Sequence, residues 1–231
     1  MTSLASAVGN ALLSTQDVSR LTSLRRSTAL FSQGQAADAV YYIEDGLVKL
    51  TRTNEHGAHI ILSICGPGHL VGEEALTNEP PVYYTEGEVL STSTIYRIPR
   101  ETLIQTIVSN PELSNALVSY LLQRKLALAT KVELLCLHDV EYRILHYLAE
   151  LSALVKPQDD GEGYQVPITQ LELADLIGAT RETTSTTLNQ LERRGLVRLS
   201  RRLLTIPSPV TLRSAAAGKV EQEKSALTGS L

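Results

Sequence analysis

Residues 180–195 read TRETTSTTLNQLERRG, and six of the first eight carry a hydroxyl. Thr is β-branched and Ser competes for its own backbone, so both are mediocre helix formers. Yet Leu188 and Leu191 lie three apart and the run closes on ERRG, as a helix ending at a Gly does. Set on a helical wheel, the residues divide. Thr184, Leu188 and Leu191 share one face, while Glu182, Ser185, Thr186 and Asn189 share the opposite one, with Arg181 at the N-terminal end. Thr180 is placed to cap the helix and to leave backbone N–H groups for a phosphate.

The flanks turn this helix into a motif. TQLELADLIG, beginning at Thr169, puts Leu171, Leu173, Ala174 and Ile177 on one apolar face, and Gly178-Ala179 then leads into the Thr-rich helix. Two short helices joined at a Gly form a helix-turn-helix. Downstream, Leu196-Val197 and Leu203 to Ile206 flank Ser200-Arg201-Arg202, a basic hairpin that makes the unit winged. A recognition helix reads base edges with its N-terminal residues. Glu182 can accept from cytosine N4, Arg181 can reach a phosphate or a guanine, and the hydroxyls can bond either base type or touch a thymine methyl. Arg181, Glu182, Ser185, Thr186 and Asn189 are therefore the candidate readers, and Thr169, Thr180 and Arg202 the candidate phosphate contacts. The competing reading is a small helical subdomain whose hydroxyls are merely solvated. Charge argues against it: residues 180–213 hold seven Arg against two Glu, whereas residues 1–137 hold ten basic against thirteen acidic side chains. The overall net charge of −4 hides a basic end of the kind that attracts phosphates.

Upstream, residues 28–100 alternate short β-branched or aromatic runs (AVYYIED, GLVKLTRT, HIILSIC, EVLSTSTIYRI) with glycines, the texture of an antiparallel barrel or sandwich. At Asn110-Pro111 the period changes. No Gly or Pro interrupts the chain from there to 137, and a helix of that length spans about 40 Å at 1.5 Å per residue. Leu117, Leu121, Leu128, Val132 and Leu135 form an apolar seam that fits a two-helix coiled coil, although a core helix against its own barrel is the alternative. A second helix is expected from Val140 to Val155, followed by the polar loop KPQDDGEG at 156–163. The expected fold is α+β: a sensory β-roll, jelly-roll-like, over 1–109 with a short N-terminal helix or loose end, a dimerisation helix over 110–137, a winged helix-turn-helix over 138–208, and a disordered tail over 209–231. Two isolated cysteines, no leader pattern and no long apolar run point to a reducing cytoplasm and away from a membrane.

This order of elements resembles the Crp/Fnr superfamily of bacterial transcription regulators over about residues 15–208. GPGHLVGEEAL at 66–76 is similar to the family's glycine-rich effector cassette, IPRETL at 98–103 to its barrel exit, and LADLIGATRETTSTTLNQLERRGLV at 173–197 to its DNA-binding motif. The resemblance implies a homodimer that places one recognition helix in each half of a near-palindromic site in double-stranded DNA. It also implies an effector in the β-roll, RNA polymerase as a partner, and no catalysed reaction.

Two departures from the family pattern matter. Relatives commonly read RETVSR or RETVGR, with the second Arg pairing a guanine; here Thr186 stands at that place. A bidentate Arg–guanine contact, worth about 1–3 kcal/mol of discrimination, cannot be made from there, so the preferred half-site should differ from TGTGA or TTGAT. In cyclic-nucleotide-binding relatives a Gly-Glu pair is followed by Arg-Ser, which grips the phosphate. Gly72 and Glu73 are present, but the second pair is Tyr83-Tyr84, among Glu74, Glu79, Glu86 and Glu88. That acidic setting disfavours cyclic AMP. Arg124 is placed like a residue near the nucleotide in some relatives, and Leu128 with Ala129 replaces base-contacting hydroxyls. An effector other than cyclic AMP, or none at all, is expected. Two distant cysteines exclude the usual four-thiolate iron–sulfur cluster. No single His stands out as a haem ligand. A metal-dependent cupin-like enzyme with an accessory winged helix is the alternative from another class, but HGAH at 56–59 lacks the HxH spacing and no metal site is expected.

Overall fold

The computed structural model describes residues 7–8, 11–13, 15, 17–77, 80–158 and 161–228, with the side chains of 220–228 outside that description. The expected helix or loose end at 1–13 and the acid at Glu79 therefore lie partly or wholly outside the described residues. The chain forms two compact units, Met1–Thr130 and Lys131–Leu231.

The first unit is built on two antiparallel four-stranded sheets. One has the order β1 (Ser19–Leu24), β8 (Ser93–Pro99), β3 (Ala39–Asp45), β6 (Leu70–Val71), and the other β2 (Ala29–Phe31), β7 (Glu86–Val89), β4 (Val48–Thr53), β5 (His59–Cys65). The inner faces supply one core in which Ile43, Val48, Val71, Val89, Ile95 and Ile98 are fully buried. The run EVLSTSTIYRI, expected as a single strand, is two. β7 pairs β4 in one sheet and β8 pairs β3 in the other, so the chain must turn a corner at 90–92 to change sheets. Arg26 Nη1 reaches Leu90 O at 2.7 Å across this corner.

Two helices follow, α1 (Arg100–Ser109) and α2 (Pro111–Leu137). Asn110 Oδ1 accepts the Leu113 N–H at 3.0 Å, and Pro111 opens α2, a pairing of cap and N1 residue that suits a helix start. Leu113, Ala116, Leu117 and Tyr120 are buried in the β-roll core. Here Leu117 corrects an expectation: it belongs to that core and is not open to a partner. Its neighbour Val118 and the residues Leu121, Leu122, Leu126, Leu128 and Val132 carry the exposed apolar surface of the helix.

In the second unit α3 (Val140–Ser152) is capped by Asp139, whose carboxylate accepts the Tyr142 N–H at 2.8 Å. A three-stranded sheet of order β10 (Arg198–Ser200), β11 (Leu203–Ile206), β9 (Tyr164–Val166) makes the wing. α4 (Gln170–Ile177) and α5 (Arg181–Arg193) form the helix-turn-helix. The expected disordered tail is a helix, α6 (Pro209–Thr228). Its reason lies in packing: Leu212 is fully buried, and the Lys219 ammonium pairs with Asp139 and, at 3.2 Å, with Glu141. No described helix is long and apolar enough to cross a membrane.

Candidate nucleic-acid interface and effector pocket

α5 begins at Thr180, whose Oγ1 accepts the Thr183 N–H at 3.2 Å. Thr184 and Leu188 are fully buried, and the Thr184 hydroxyl donates to Thr180 O at 2.9 Å. The Thr187 hydroxyl donates to Thr183 O, also at 2.9 Å, and those of Thr180 and Thr183 lie 2.9 Å apart. Thus the threonines on the inner and side faces spend their hydroxyls on the helix itself, as Thr does when it back-bonds to the preceding turn. Ser185 and Thr186 differ: among the described residues their hydroxyls have no partner. Together with exposed Arg181, Glu182 and Asn189 they form a polar surface with unspent hydrogen-bonding capacity.

The neighbouring elements complete a groove lined by Thr169, Arg181, Asn189, Glu192, Ser200 and Arg201. Thr169 and Glu172 form a reciprocal capping box, with Glu172 Oε2 accepting the Thr169 N–H and hydroxyl at 2.9 Å each. The Thr169 hydroxyl is thus committed to its own helix, and what remains for an anion at that end is the positive pole of α4. Leu171, expected on the buried face of α4, is half exposed in the same groove. Glu192, outside the expected set of readers, has a structural part: its Oε1 accepts the Leu199 N–H at 2.7 Å and ties the wing to the end of α5. Of the seven Arg in the basic patch, Arg194 pairs with Glu141 at 2.5 Å and Arg198 with Glu162 at 3.2 Å. Arg181, Arg201 and Arg202 have no carboxylate partner among the described residues and are exposed.

In the β-roll, Gly72 adopts a left-handed φ of +80° and opens a short 3-10 helix, Glu73–Leu76. A Cβ there would lie 3.0 Å from the Tyr83 ring. Tyr83 is 1% exposed, stacks on Phe31 with ring centroids 4.2 Å apart, and both donates to Ala39 O at 2.7 Å and accepts from Ala39 N at 3.3 Å. Burial pushes its hydroxyl pKa well above the usual tyrosine range. It is a core residue with both hydrogen-bonding functions of its oxygen used. Tyr84 behaves differently. It is 57% exposed, and the Arg52 guanidinium from β4 sits 3.8 Å from its ring centroid and donates to its carbonyl at 2.5 Å. The sequence placed no cation in the Tyr83-Tyr84 pair itself; the sheet brings one beside it from thirty-two residues away.

Arg124 enters the β-roll from α2. Its Nη2 donates to Ser63 Oγ at 3.0 Å, and its Nε lies 3.8 Å from Glu73 Oε1, too long for a hydrogen bond. Arg124 Nε and Glu73 Oε2 are both buried without a hydrogen-bond partner. Burial raises the Glu73 pKa against the pull of Arg124, and burial likewise raises that of Cys65 beside them. Gly72, Glu73 and Arg124 are thus brought together, whereas Leu128, a turn further along α2, is half exposed. Among the described residues no group of three or more His, Cys, Asp or Glu is placed to hold a metal ion.

Comparison with known proteins agrees with this division of labour. Residues 21–110 match the cyclic nucleotide-binding domain family, and residues 142–215 match the Crp-like helix-turn-helix domain. The chain belongs to the Crp/Fnr family. It is a transcription regulator of that family, with a cyclic nucleotide-binding-type domain and a DNA-binding helix-turn-helix domain. The cAMP-activated global transcriptional regulator CRP of Salmonella typhimurium is 29% identical over 170 residues, covering 74% of this chain and 81% of that one. The global nitrogen regulator of Synechococcus elongatus is 25% identical, covering 81% and 85%. Among solved structures, the c-di-GMP responsive global regulator CLP of Xanthomonas campestris superposes with a TM-score of 0.70 at 24% identity, covering 83% of this chain and 95% of that one. FixK2 of Bradyrhizobium japonicum gives 0.72 at 16% identity, covering 85% and 96%, a likeness of fold.

Proposed function

We propose that this Crp/Fnr-family chain acts in the cytoplasm as a homodimeric regulator. It binds a near-palindromic operator through one α5 per half-site, works with RNA polymerase, and catalyses no reaction. The observation that carries the reading is the face of α5, where Arg181, Glu182, Thr186 and Asn189 stand exposed beside the half-buried Ser185, and where Ser185 and Thr186 have no side-chain partner among the described residues. The exposed apolar surface of α2, from Val118 to Val132, supports pairing with a second copy. With Thr186 in place of the guanine-reading Arg, the operator differs from the family's usual half-sites.

The effector reading rests on Tyr83. A side chain buried in the core, with its hydroxyl spent on Ala39, does not grip a cyclic phosphate, so the effector at Gly72, Glu73 and Arg124 is not cyclic AMP. The contact of Arg124 with Ser63 and its approach to Glu73 favour a second reading, in which the site is filled by its own side chains and the dimer is competent without an effector. Thermal unfolding against cyclic AMP, cyclic di-GMP and a metabolite panel separates the two, because a ligand selective for the folded state raises the midpoint. Stabilisation by cyclic AMP would overturn the effector reading.

Operator binding is tested by selecting sites from a random duplex pool and measuring affinity against salt. Steep salt dependence with a palindromic consensus is expected. Replacement Glu182→Ala should relax base preference more than affinity, and Arg181→Ala should weaken binding. Unchanged sequence preference and salt slope in both variants would remove α5 as the reading element.

A further inference from the structure

The turn that aims α5 is held by side chains outside the helix-turn-helix. The last four carbonyls of an α-helix have no partner within it, and α4 carries no basic residue in its own last turn. Two cations from elsewhere supply the donors. Lys131 Nζ, near the end of α2, donates to Leu176 O at 2.7 Å, and Arg143 Nη1 of α3 donates to Ile177 O at 2.7 Å. Leu135, one turn beyond Lys131, packs so closely on Gly178 that a Cβ there would lie 2.7 Å from its Cδ2. Gly178 itself is left-handed, with φ +63°, and only Ala179 separates it from the Thr180 cap. The direction of α5 is therefore set within two residues of this clamp.

Lys131 is 5% exposed, and the Tyr147 ring of α3 lies 5.3 Å from its ammonium. A lysine buried this deeply is an expensive donor, since a charge moved out of water pays a desolvation penalty. A fold seeking only stability would place an apolar side chain there. We propose that Lys131 is a positioning residue for DNA recognition: with Arg143 and Leu135 it fixes the Gly178 turn, and through it the angle at which α5 meets the bases. The inference rests on the DNA-binding reading above and extends it to a residue that touches no DNA.

The charged and titratable groups facing Lys131 are Tyr147 and Glu150 of α3, with Arg143 at the same helix end. Burial lowers the Lys131 pKa to about 8, while Glu150 works in the opposite direction. Above that pH the amine still donates, but without the charge that strengthens its bond to Leu176 O and suits it to the negative end of α4. Correct presentation of α5 should therefore decline in alkaline solution.

The test uses the full chain, the tightest duplex that the wild-type protein selects from a random pool, and a scrambled duplex of the same length. The readout is the ratio of the two affinities. A merely structural role lowers the fraction of active protein and leaves this ratio unmoved; a positioning role lowers the ratio itself. Lys131→Met, of similar length and apolar, is expected to reduce the ratio roughly tenfold at pH 7, the scale of one hydrogen bond to a charged donor, and Lys131→Arg to retain most of it. In the wild-type protein the ratio should fall between pH 7 and pH 9.5, and in Lys131→Met it should stay flat. A folded Lys131→Met with the wild-type ratio overturns the proposal. If that variant does not fold, the wild-type pH series decides, and a flat ratio overturns it. A wild-type protein that shows no preference between the duplexes removes the DNA-binding reading as well.

Discussion

Two parts of this molecule spend their polar side chains in opposite ways. On α5 the hydroxyls of Thr184 and Thr187 are bonded to the helix, while those of Ser185 and Thr186 have no partner among the described residues. In the β-roll, Tyr83 is stacked on Phe31 and bonded to Ala39, and Arg124 is bonded to Ser63. A surface that keeps its donors and acceptors unspent is equipped to meet a changing partner such as a base sequence. In the β-roll a ligand must displace the Arg124–Ser63 contact, and only Arg124 Nε and Glu73 Oε2 are without a hydrogen-bond partner among the described buried groups there. The two surfaces are therefore built differently: the outer face of α5 keeps polar groups open, while Tyr83 and Arg124 in the β-roll are engaged with their own neighbours.

The largest expected effect lies on the closed side of this comparison. Tyr83→Ala should destabilise the β-roll by about 3–5 kcal/mol, as loss of a buried aromatic does. Urea unfolding followed by tyrosine fluorescence checks it. A cost under about 1 kcal/mol, within the range of surface substitutions and conservative swaps, would mean that Tyr83 is a displaceable lid over the pocket.

Lys131 gives the next effect and carries a definite sign. Its folded pKa of about 8 is depressed below the value of a lysine in the unfolded chain. Between about pH 8 and pH 10.5 the unfolded state therefore binds more protons, and stability rises with pH across that window. Below pH 8 the full cost of burying the charge is present. Relative to Lys131→Met, which lacks the group, the wild-type protein should gain up to about 3 kcal/mol of stability between pH 7 and pH 10.5. Denaturant unfolding of both proteins at the two pH values measures this difference. A constant difference would show that Lys131 titrates alike in the folded and unfolded states, so that its burial does not penalise the charge.

Much of this architecture is legible in the sequence because it is written in apolar periodicity and turn residues. The strands AVYYIED and HIILSIC fall where their β-branched and aromatic runs place them, and α2 and α5 follow their caps at Asn110 and Thr180. What escaped has a common physical cause. β1 reads SRLTSL and lies at a sheet edge with both faces largely solvated, so no alternation marks it. α6 reads as a tail in the sequence because what holds it, the burial of Leu212 and the pairing of Lys219 with Asp139 and Glu141, is announced by no local pattern. The same applies to the sites. Thr186 can be picked out from the order of residues along one helix, whereas Arg52 beside Tyr84 and Lys131 on Leu176 O exist only once distant segments have paired. Leu117 shows the converse error: a heptad seam names apolar positions without saying which partner covers each.

On the open side of the comparison, Thr186→Arg should sharpen the contrast. Thr186 is exposed on the outer face of α5, and no described neighbour bonds to its side chain. The substitution is expected to add about 1–3 kcal/mol of preference for guanine at one position of each half-site. Competition binding with operators that vary at that position reads the effect directly. An increase in affinity for all sequences alike would instead assign the new Arg to a phosphate.

The smallest effect separates capping from reading. Thr180 Oγ1 accepts the Thr183 N–H, so Thr180→Ala should destabilise the second unit by about 1 kcal/mol, the usual cost of losing an N-cap. The backbone N–H groups and the positive pole of α5 remain in the variant, and with them the attraction for a phosphate. DNA affinity should therefore fall slightly for every sequence, while base preference stays as it was, because Arg181, Glu182, Ser185 and Thr186 are unchanged. A shift in base preference would show that Thr180 does more than cap. In that case the polar reading surface of α5 would begin one residue earlier than its exposed face suggests.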